Sequence, residues 1–461
     1  MMRRITFALA CALALPAAVE AQALPPARVA AHLADSLARA FVAQRGAPSV
    51  AIAIVRGRDT IVMQGYGKAD LENDVAATER SAYRIGSVTK QFTAAAVMKL
   101  VEEGKVKLDD TIGTYFPSLP EAWRPVTVRQ LLNHTSGIPS YTSLGAAWQR
   151  RWGEEMSPDS IAALTASQTM NFAPGADWRY NNTGYVLLGM LIEKVAGRPW
   201  GAEIEERFTK PLGLADTRNC MHAPLIPRRV HGYGPQGNGW ANAPYLAMSQ
   251  PYAAGALCSS VADLARWNRA LHTGGVVSAA SYRLMTTPEG AAAAGSRKYG
   301  FGLGVDTLGG RRVISHGGGI HGFITANAWI PDAELSITVL TNSGVARADD
   351  LLNQLARAAL GIPLVVPAAV IPLPAGDRAR YVGVYALPLP GGARDFTVAV
   401  GGDGITGQLA GQEPLPLLHY GNHTFGASFD PALRLIFTVE GGRATSMTLV
   451  QNGGRFVGPR K

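Results

Sequence analysis

Apolar side chains recur at helical spacing in several stretches of the chain. They repeat every four residues from Val29 to Phe41, which predicts an amphipathic helix within residues 24–45. The stretch from Ser87 to Glu103 predicts one long helix, which Gly104 would end as a C-cap. The pattern predicts further helices over residues 180–196, 259–273 and 349–360.

Short runs of β-branched and apolar residues, bounded by turn-forming residues, predict strands. Val50–Val55 and Thr60–Met63 flank the turn residues 56–59 and predict a hairpin. A second pair of strands, Ala326–Ile330 and Leu335–Thr341, is separated by a turn that contains proline and aspartate. The first part of the chain is therefore expected to mix helices with paired strands.

A proline-rich stretch at residues 365–376 marks a change of composition and predicts a linker. Beyond it, residues 377–461 contain alternating runs parted by glycine-rich turns, which predict a small antiparallel all-β domain, either a sandwich or a barrel. These runs are Phe396–Val400, Leu415–Tyr420, Leu433–Val439 and Ala444–Val450. Residues 24–364 are the predicted first domain.

The first 23 residues have the composition of a secretory signal peptide. A basic start is followed by the apolar run Ile5–Leu15 and by the A-x-A cleavage pattern of residues 21–23. The run is too short to span a bilayer, so we expect a periplasmic or secreted protein without a membrane span. The net charge of +9 comes without a dense Lys/Arg cluster, which argues against a nucleic-acid partner.

Cys220 and Cys258 are the cysteines that remain beyond the predicted signal peptide. An oxidising compartment allows them to form a disulfide. The other interpretation is a pair of buried free thiols, and the sequence slightly favours it. The nine histidines lack the spacing of zinc ligands, so we expect neither a metal nor a cofactor.

The sharpest chemical feature is the run Ser87-Val88-Thr89-Lys90 at the start of the long predicted helix. Residues three apart lie on one face of a helix, so the serine hydroxyl and the lysine amine should be neighbours. A serine is a weak nucleophile until a base takes its proton, and a lysine amine is such a base where burial lowers its pKa. Alone, the pattern also occurs as a helix cap followed by a solvated lysine.

Two further motifs add polar groups. In the run YNN at residues 180–182, Tyr180 is a second candidate proton carrier, and Asn182 has both a donor and an acceptor for the lysine and a substrate amide. The glycines of the run SHGGG at residues 315–319 would let a substrate approach a strand and offer an N–H to an oxyanion. A half-buried aromatic residue and a tight turn are the ordinary structural interpretations.

Together and in this order, the motifs resemble those of the serine β-lactamase and penicillin-binding-protein superfamily. The match is to the branch of class C β-lactamases, D-alanyl-D-alanine carboxypeptidases, D-aminopeptidases and related esterases. Ser87–Lys90 matches S-x-x-K, Tyr180–Asn182 matches Y-x-N, and His316–Gly318 matches the third, K-T-G-like motif. The run LLNHTSGIP at residues 131–139 is similar to a segment of this branch, and the resemblance covers about residues 30–360.

The resemblance implies an α+β fold, an α/β sandwich in which an antiparallel sheet is flanked by helices, with a helical lobe beside it. It implies that Ser87 forms the acyl-enzyme and that Lys90 and Tyr180 share proton transfer. The backbone N–H groups of Ser87 and Gly319 would form the oxyanion hole, and Asn182 would position the substrate.

The departure from the family pattern is His316, where penicillin-recognising members carry a lysine that holds the substrate carboxylate. Histidine is mostly neutral at pH 7, which argues against efficient β-lactamase activity. His316 and Gly318 would still contact the substrate. The loops Ser140–Trp152 and Pro235–Pro251, rich in aromatic residues and glycine, would form either a wall of the cleft or a mobile surface.

We therefore expect a secreted serine hydrolase that acts on amide or ester bonds. Candidate substrates are D-amino-acid peptides or amides, cell-wall peptides and small esters, with β-lactams as a further candidate. The alternative is a non-catalytic penicillin-binding or peptidoglycan-sensing module. The presence of Ser87, Lys90 and Tyr180 together argues against this alternative, because a sensor has less need of all three.

Overall fold

The computed structural model describes residues 24–295, 298–365, 369–389, 392–427, 430–451 and 454–461. The predicted signal peptide, residues 1–23, and residues 366–368 of the predicted linker lie outside this part of the chain. The chain divides into two compact units, the first ending at Ile362 and the second beginning at Pro363. Each unit has hydrophobic clusters of its own.

The helices expected from the apolar pattern all form, with ends within three residues of the expected ones. The first unit also contains helices of one or two turns, which are too short to show a 3.6-residue period in the sequence. The described α-helices and π-helix are Ala27–Ala43, Thr89–Glu102, Ile112–Tyr115, Val128–Leu132, Ala146–Gln149, Pro158–Ala163, Asn182–Ala196, Trp200–Ile204, Glu205–Thr209 (the π-helix), Tyr252–Gly255, Val261–His272, Ala279–Thr286, Ala291–Ala294 and Ala348–Leu360. The described 3-10 helices are Gly86–Val88, Glu121–Trp123, Tyr141–Ser143, Pro331–Ala333 and Ala375–Arg380. Among the described residues, no helix is both long and apolar enough to cross a bilayer.

An antiparallel sheet forms the middle of the first unit. In spatial order, its described strands are Val75–Ala76, Asp59–Asp70, Ser49–Arg56, Leu335–Thr341, Phe323–Ile330, Arg311–Ile320 and Gly304–Leu308. The two predicted strand pairs are therefore neighbours, because the first and the last strands in the sequence pair at the centre of the sheet. Smaller described strands of this unit are Tyr83–Arg84, Arg218–Asn219, Tyr233–Gln236, Gly239–Asn242 and Leu257–Ser259.

The strand Ser49–Arg56 is buried on both faces over most of its length, and its side chains alternate between two hydrophobic clusters. Val50, Ile52 and Ile54 pack with the first and last helices of the unit. Ala51 and Ala53 belong to the cluster of the helical lobe on the opposite face. A strand places successive side chains on opposite faces, so this apolar run holds the sheet between two helical layers. The α/β sandwich with a helical lobe is confirmed.

The second unit is an antiparallel β-meander that closes on itself. Each described strand pairs with the next, and the isolated bridge between Tyr385 and Arg460 joins the first strand to the last. The all-β prediction is confirmed, and the closure selects a barrel-like arrangement rather than a sandwich. The strands are Gly383–Leu389, Gly392–Gly401, Gly404–Leu409, Leu415–His419, Thr424–Ala427, Asp430–Glu440, Arg443–Gln451 and Gly454–Pro459.

Cys220 and Cys258 form a disulfide, so the preference for free thiols was wrong. Arg218–Asn219 pairs with Leu257–Ser259 as a short antiparallel ladder. In addition, the Cys220 N–H donates to the Ala256 carbonyl oxygen at 2.7 Å. This pairing brings the two Cα atoms to 5.1 Å, within the range that a disulfide spans. The sequence could not reveal this contact, because the paired segments are 38 residues apart.

Candidate active site

Ser87 lies in a 3-10 turn, Gly86–Val88, that leads directly into the helix Thr89–Glu102. The turn needs glycine at position 86, where φ is +50° and a Cβ would lie 3.0 Å from the Gly319 nitrogen. The backbone of the turn therefore passes close to the glycine run of the strand Arg311–Ile320. Ser87 stands at the amino end of the helix, where free N–H groups favour developing negative charge.

Lys90 is fully buried one turn after Ser87. Its Nζ lies 3.0 Å from the Ser87 Oγ, 2.8 Å from the Asn182 Oδ1 and 2.8 Å from the Ala254 carbonyl oxygen. Burial lowers the pKa of Lys90 well below its ordinary value, because an ammonium loses its hydration there. An amide oxygen and a carbonyl oxygen can only accept, so both hydrogens of a neutral amine are engaged by them. When the amine is neutral, its lone pair is therefore left to face the Ser87 hydroxyl, as a general base requires.

The start of the helix Asn182–Ala196 holds Asn182 against the lysine. Asn181 caps this helix by accepting from the Gly184 N–H at 2.7 Å. The Asn182 side chain accepts from Lys90 and donates to the Thr142 hydroxyl at 3.0 Å. Asn182 therefore contacts the lysine, as expected from the sequence. Its amide nitrogen is held by Thr142 of the loop Ser140–Trp152, a contact that the sequence had not indicated.

Tyr180 lies directly before this helix cap, beside the lysine. The Lys90 Nζ lies 4.8 Å from the centre of the Tyr180 ring, and the Tyr180 hydroxyl is buried. Tyr180 and Ser87 line the same cavity. The two candidate proton carriers and the candidate nucleophile therefore lie close together, although Tyr180 is 90 residues after Lys90 in the sequence.

His134, within the run LLNHTSGIP at residues 131–139, is a neighbour of Tyr180. Its ring centre lies 4.4 Å from that of Tyr180, and its Nδ1 accepts from the Asn181 N–H at 3.2 Å. Its backbone has a positive φ of +64°, which is uncommon for a residue with a side chain. The indication in the sequence was that His134 lies in the run LLNHTSGIP, which is similar to a segment of the family. A histidine in such a segment suggests that its side chain is held in one position. His134 therefore helps to position Tyr180, through the ring contact, and Asn181 at the helix cap, through the hydrogen bond.

His316 is buried, with 2% of its surface exposed, and it lines the cavity that Ser87 and Tyr180 share. Its Nδ1 lies 2.6 Å from the Gly317 carbonyl oxygen, and its Nε2 lies 2.8 Å from the Tyr299 hydroxyl. A carbonyl oxygen only accepts, so the hydrogen-bond pattern assigns a proton to Nδ1. The His316 ring therefore lies beside the rings of Tyr180 and Tyr299 in the lining of this cavity.

The glycines after His316 allow the strand to touch the nucleophile turn. A Cβ at Gly318 would collide with the Ile85 carbonyl oxygen, so no larger residue fits there. Gly319 lines both cavities beside Ser87. In the described part of the sheet, the ladder with the strand Gly304–Leu308 ends at Ser315, so the following glycine run extends beyond this partner. All predicted site residues therefore converge at one place.

Two cavities meet at Ser87. The larger, which we call the aromatic cavity, has a volume of about 510 Å³, and its lining includes Tyr141, Trp148, Trp152, Tyr233 and His321. The smaller, which we call the polar cavity, has a volume of about 310 Å³, and its lining includes Tyr180, His316, Thr325 and Asp349. The two aromatic-rich loops of the sequence analysis line the larger cavity. No group of acidic, histidine or cysteine side chains in the described residues is arranged to hold a metal ion.

Comparisons with known proteins agree with this geometry. Residues 34–361 match the beta-lactamase family. A D-stereospecific amidohydrolase from Streptomyces sp. is 32% identical with a TM-score of 0.62, over 71% of this chain and 98% of that chain. The octameric penicillin-binding protein homologue from Pyrococcus abyssi is 26% identical with a TM-score of 0.66, over 92% of this chain and 99% of that chain. The D-aminopeptidase of Brucella ovis is 28% identical over 69% of this chain, which spans 61% of that protein's length.

Proposed function

This chain belongs to the beta-lactamase family, a family of serine hydrolases, and from this premise we propose that it cleaves amide or ester bonds through an acyl-enzyme on Ser87. The observation that carries the proposal is the environment of Lys90. Its amine is buried and lies within hydrogen-bond distance of the serine hydroxyl. Its other two hydrogen-bond partners, the Asn182 Oδ1 and the Ala254 carbonyl oxygen, can only accept. A structural lysine has no need of this arrangement, whereas a general base does.

In the proposed first step, the Lys90 amine takes the proton of the Ser87 hydroxyl. The Ser87 Oγ attacks the substrate carbonyl carbon, and the negative charge that develops on the carbonyl oxygen is met by the N–H groups of Ser87 and Gly319. Such preoriented donors are among the largest contributions to acyl-transfer catalysis. Asn182, held between Lys90 and Thr142, keeps the lysine in place and orients the substrate.

In the proposed second step, the Tyr180 hydroxyl donates a proton to the leaving nitrogen or oxygen and is recharged from the Lys90 ammonium. The bond between carbonyl carbon and leaving group breaks, and an ester on Ser87 remains. A water molecule then attacks this ester with the same residues as bases, releases the acid and restores Ser87. The closeness of Lys90 and Tyr180 supports a shared proton path.

The proposed substrates are D-amino-acid peptides or amides, or small esters. Two relatives, named D-stereospecific amidohydrolase and D-aminopeptidase, support an amide bond and D-stereochemistry. Histidine at position 316 in place of a lysine makes efficient β-lactam hydrolysis a poorer fit, because an ordinary histidine is mostly neutral at pH 7. We also propose that the protein is exported, and the Cys220–Cys258 disulfide supports an oxidising compartment.

A p-nitrophenyl acetate assay tests this function against a non-catalytic binding module. The proposal expects repeated turnover, an acetyl adduct on Ser87 in intact-protein mass spectrometry, and loss of both in Ser87→Ala. We expect turnover to fall by at least ~10³-fold in this variant, because losing one member of a catalytic unit is costly. A single stoichiometric burst without turnover would instead support the binding module, and adduct formation in Ser87→Ala would exclude this nucleophile.

A further inference from the structure

The two cavities that meet at Ser87 differ in chemical character. Trp148, Trp152 and Leu246 contribute apolar surface to the aromatic cavity, and its lining contains no Asp, Glu, Lys or Arg side chain, all of its lining residues being described. The polar cavity is lined by Tyr180, His316 and the backbone of the glycine run. A substrate bound across Ser87 must therefore place one of its two parts in each cavity.

The position of Tyr180 decides which part enters which cavity. The proposed function needs the Tyr180 hydroxyl close to the leaving group, since a general acid must lie within hydrogen-bond reach of the atom it protonates. Tyr180 lines the polar cavity and not the aromatic one. The leaving group is therefore assigned to the polar cavity, and the acyl part is left with the aromatic cavity.

The wall of the aromatic cavity is an ordered group of rings. The Trp152 and His321 ring centres are 4.1 Å apart, and those of Trp148 and Trp152 are 5.8 Å apart. Trp148 is fixed by its Nε1, which donates to the Gln250 Oε1 at 2.7 Å. His321 is fixed by its Nδ1, which lies 3.2 Å from the Pro244 carbonyl oxygen. Burial lowers the pKa of His321, so this ring is neutral at physiological pH and the wall carries no charge.

We infer that the physiological substrate has a bulky, uncharged, aromatic acyl part, which Trp148, Trp152 and His321 bind, and a small or polar leaving group. The inference rests on the proposed function, whose acyl and leaving groups it assigns to the two cavities. A volume of about 510 Å³ is within the range of small-molecule sites. Apolar walls with few polar groups are typical of such sites, whereas a charged acyl part would find no opposite charge among these lining residues. Among the proposed substrates, the inference therefore selects esters and amides whose acyl part carries no free ammonium group.

Two isomeric esters test the assignment. Methyl phenylacetate carries its ring on the acyl part, and benzyl acetate carries it on the leaving group, while the two alcohols have similar basicity. We expect the wild type to hydrolyse methyl phenylacetate with a kcat/KM at least about tenfold higher, the lower end of what one buried methylene provides. Equal values, or a preference for benzyl acetate, would overturn the inference while leaving the proposed function intact. If neither ester is hydrolysed above the level of Ser87→Ala, the proposed function fails and the inference falls with it.

Variants of the wall make the test specific. Trp152→Ala should reduce the ratio of the two kcat/KM values by about fivefold or more, since the ring loses a large apolar contact. Trp240→Ala, a half-buried tryptophan that lines neither cavity, is the matched control and should leave the ratio unchanged. Val345, 62% exposed on the rim, offers a variant that leaves the core intact. Val345→Trp should also lower the ratio by narrowing the cavity, and an unchanged ratio in both wall variants would overturn the inference.

Discussion

A Lys90→Met variant keeps a long unbranched side chain in the buried site and removes the amine beside Ser87. The wild-type Nζ lies 3.0 Å from the Ser87 Oγ, and its other contacts are with the Asn182 Oδ1 and the Ala254 carbonyl oxygen. Methionine fills a similar volume but accepts no proton from the serine. We therefore expect the acylation step to fail while the helix Thr89–Glu102 remains formed.

The size of the loss follows from the role of the base. A positioned general base contributes about 10²–10⁴-fold, which corresponds to about 3–5 kcal/mol of transition-state stabilisation. We expect kcat/KM for p-nitrophenyl acetate to fall by that factor in Lys90→Met. Lys90→Arg should also fail, because a guanidinium does not release its proton at working pH.

The matched control is Lys99→Met, on the same helix. The Lys99 side chain is 32% exposed, its Nζ pairs with Glu102 at 2.7 Å, and it lines neither of the two cavities at Ser87. A surface ion pair contributes up to about 1 kcal/mol to stability, so this variant should fold and keep its activity. Kinetics with p-nitrophenyl acetate, together with urea unfolding of the wild type, Lys90→Met and Lys99→Met, separate a catalytic loss from a loss of structure.

The variant also changes how stability depends on pH. Burial lowers the pKa of Lys90 from 10.5, so between the folded pKa and 10.5 the unfolded chain binds a proton that the folded chain does not. The free energy of unfolding then rises with pH across this window, and its Lys90 contribution is lost as pH falls. Lys90→Met should flatten this slope in the window that extends downward from pH 10.5. The wild-type activity should fall as the pH drops below the folded pKa, because the amine becomes protonated.

Retention of kcat/KM within tenfold of the wild type in Lys90→Met would refute the role of this amine. An equal loss in Lys99→Met would show that removal of any lysine from this helix damages the enzyme. A pH slope of stability that is the same in Lys90→Met and in the wild type would show that Lys90 does not titrate as its burial requires.

Three further predictions concern other parts of the chain. His316→Lys should raise the relative kcat/KM for substrates with a carboxylate in the leaving group by about tenfold, since a charge-assisted hydrogen bond replaces a neutral one. Relative kcat/KM values that are the same in the variant and in the wild type, across substrates with and without this carboxylate, would contradict the prediction. Replacing both Cys220 and Cys258 by alanine should lower the free energy of unfolding by up to about 4 kcal/mol, because the disulfide reduces the conformational entropy of the unfolded chain across a separation of 38 residues. An unchanged urea midpoint would contradict this prediction. A chain ending at residue 365 should fold and keep Ser87-dependent hydrolysis, because the first unit has its own core and all the site residues. Insoluble protein, or soluble protein without this hydrolysis, would contradict the prediction.

The sequence alone was sufficient wherever the relevant geometry is local. The spacing of Ser87 and Lys90 predicts neighbouring side chains because a helix places residues three apart on one face, and their atoms are in contact. The long apolar repeats likewise predicted the helices, including the one that ends before Gly104, where φ is +69°. The order of the three motifs also indicated the family to which the chain belongs.

The tertiary structure decided every contact between distant segments. It brought Asn182 and Ala254 to the amine of Lys90, closed the barrel through Tyr385 and Arg460, and joined Cys220 to its partner cysteine. None of these contacts leaves a periodic pattern, because each depends on how the intervening segments fold and pack.

The shape of the substrate site belongs to this second group. Trp148, Trp152 and His321 come from loops and a strand end that are up to 173 residues apart, and only their packing creates a cavity of about 510 Å³ beside Ser87. The sequence by itself therefore determined the chemistry, because a nucleophile and its base lie within one helical turn. The tertiary structure decided which molecules this chemistry can reach, because a cavity wall is assembled from residues that are neighbours only in the folded chain.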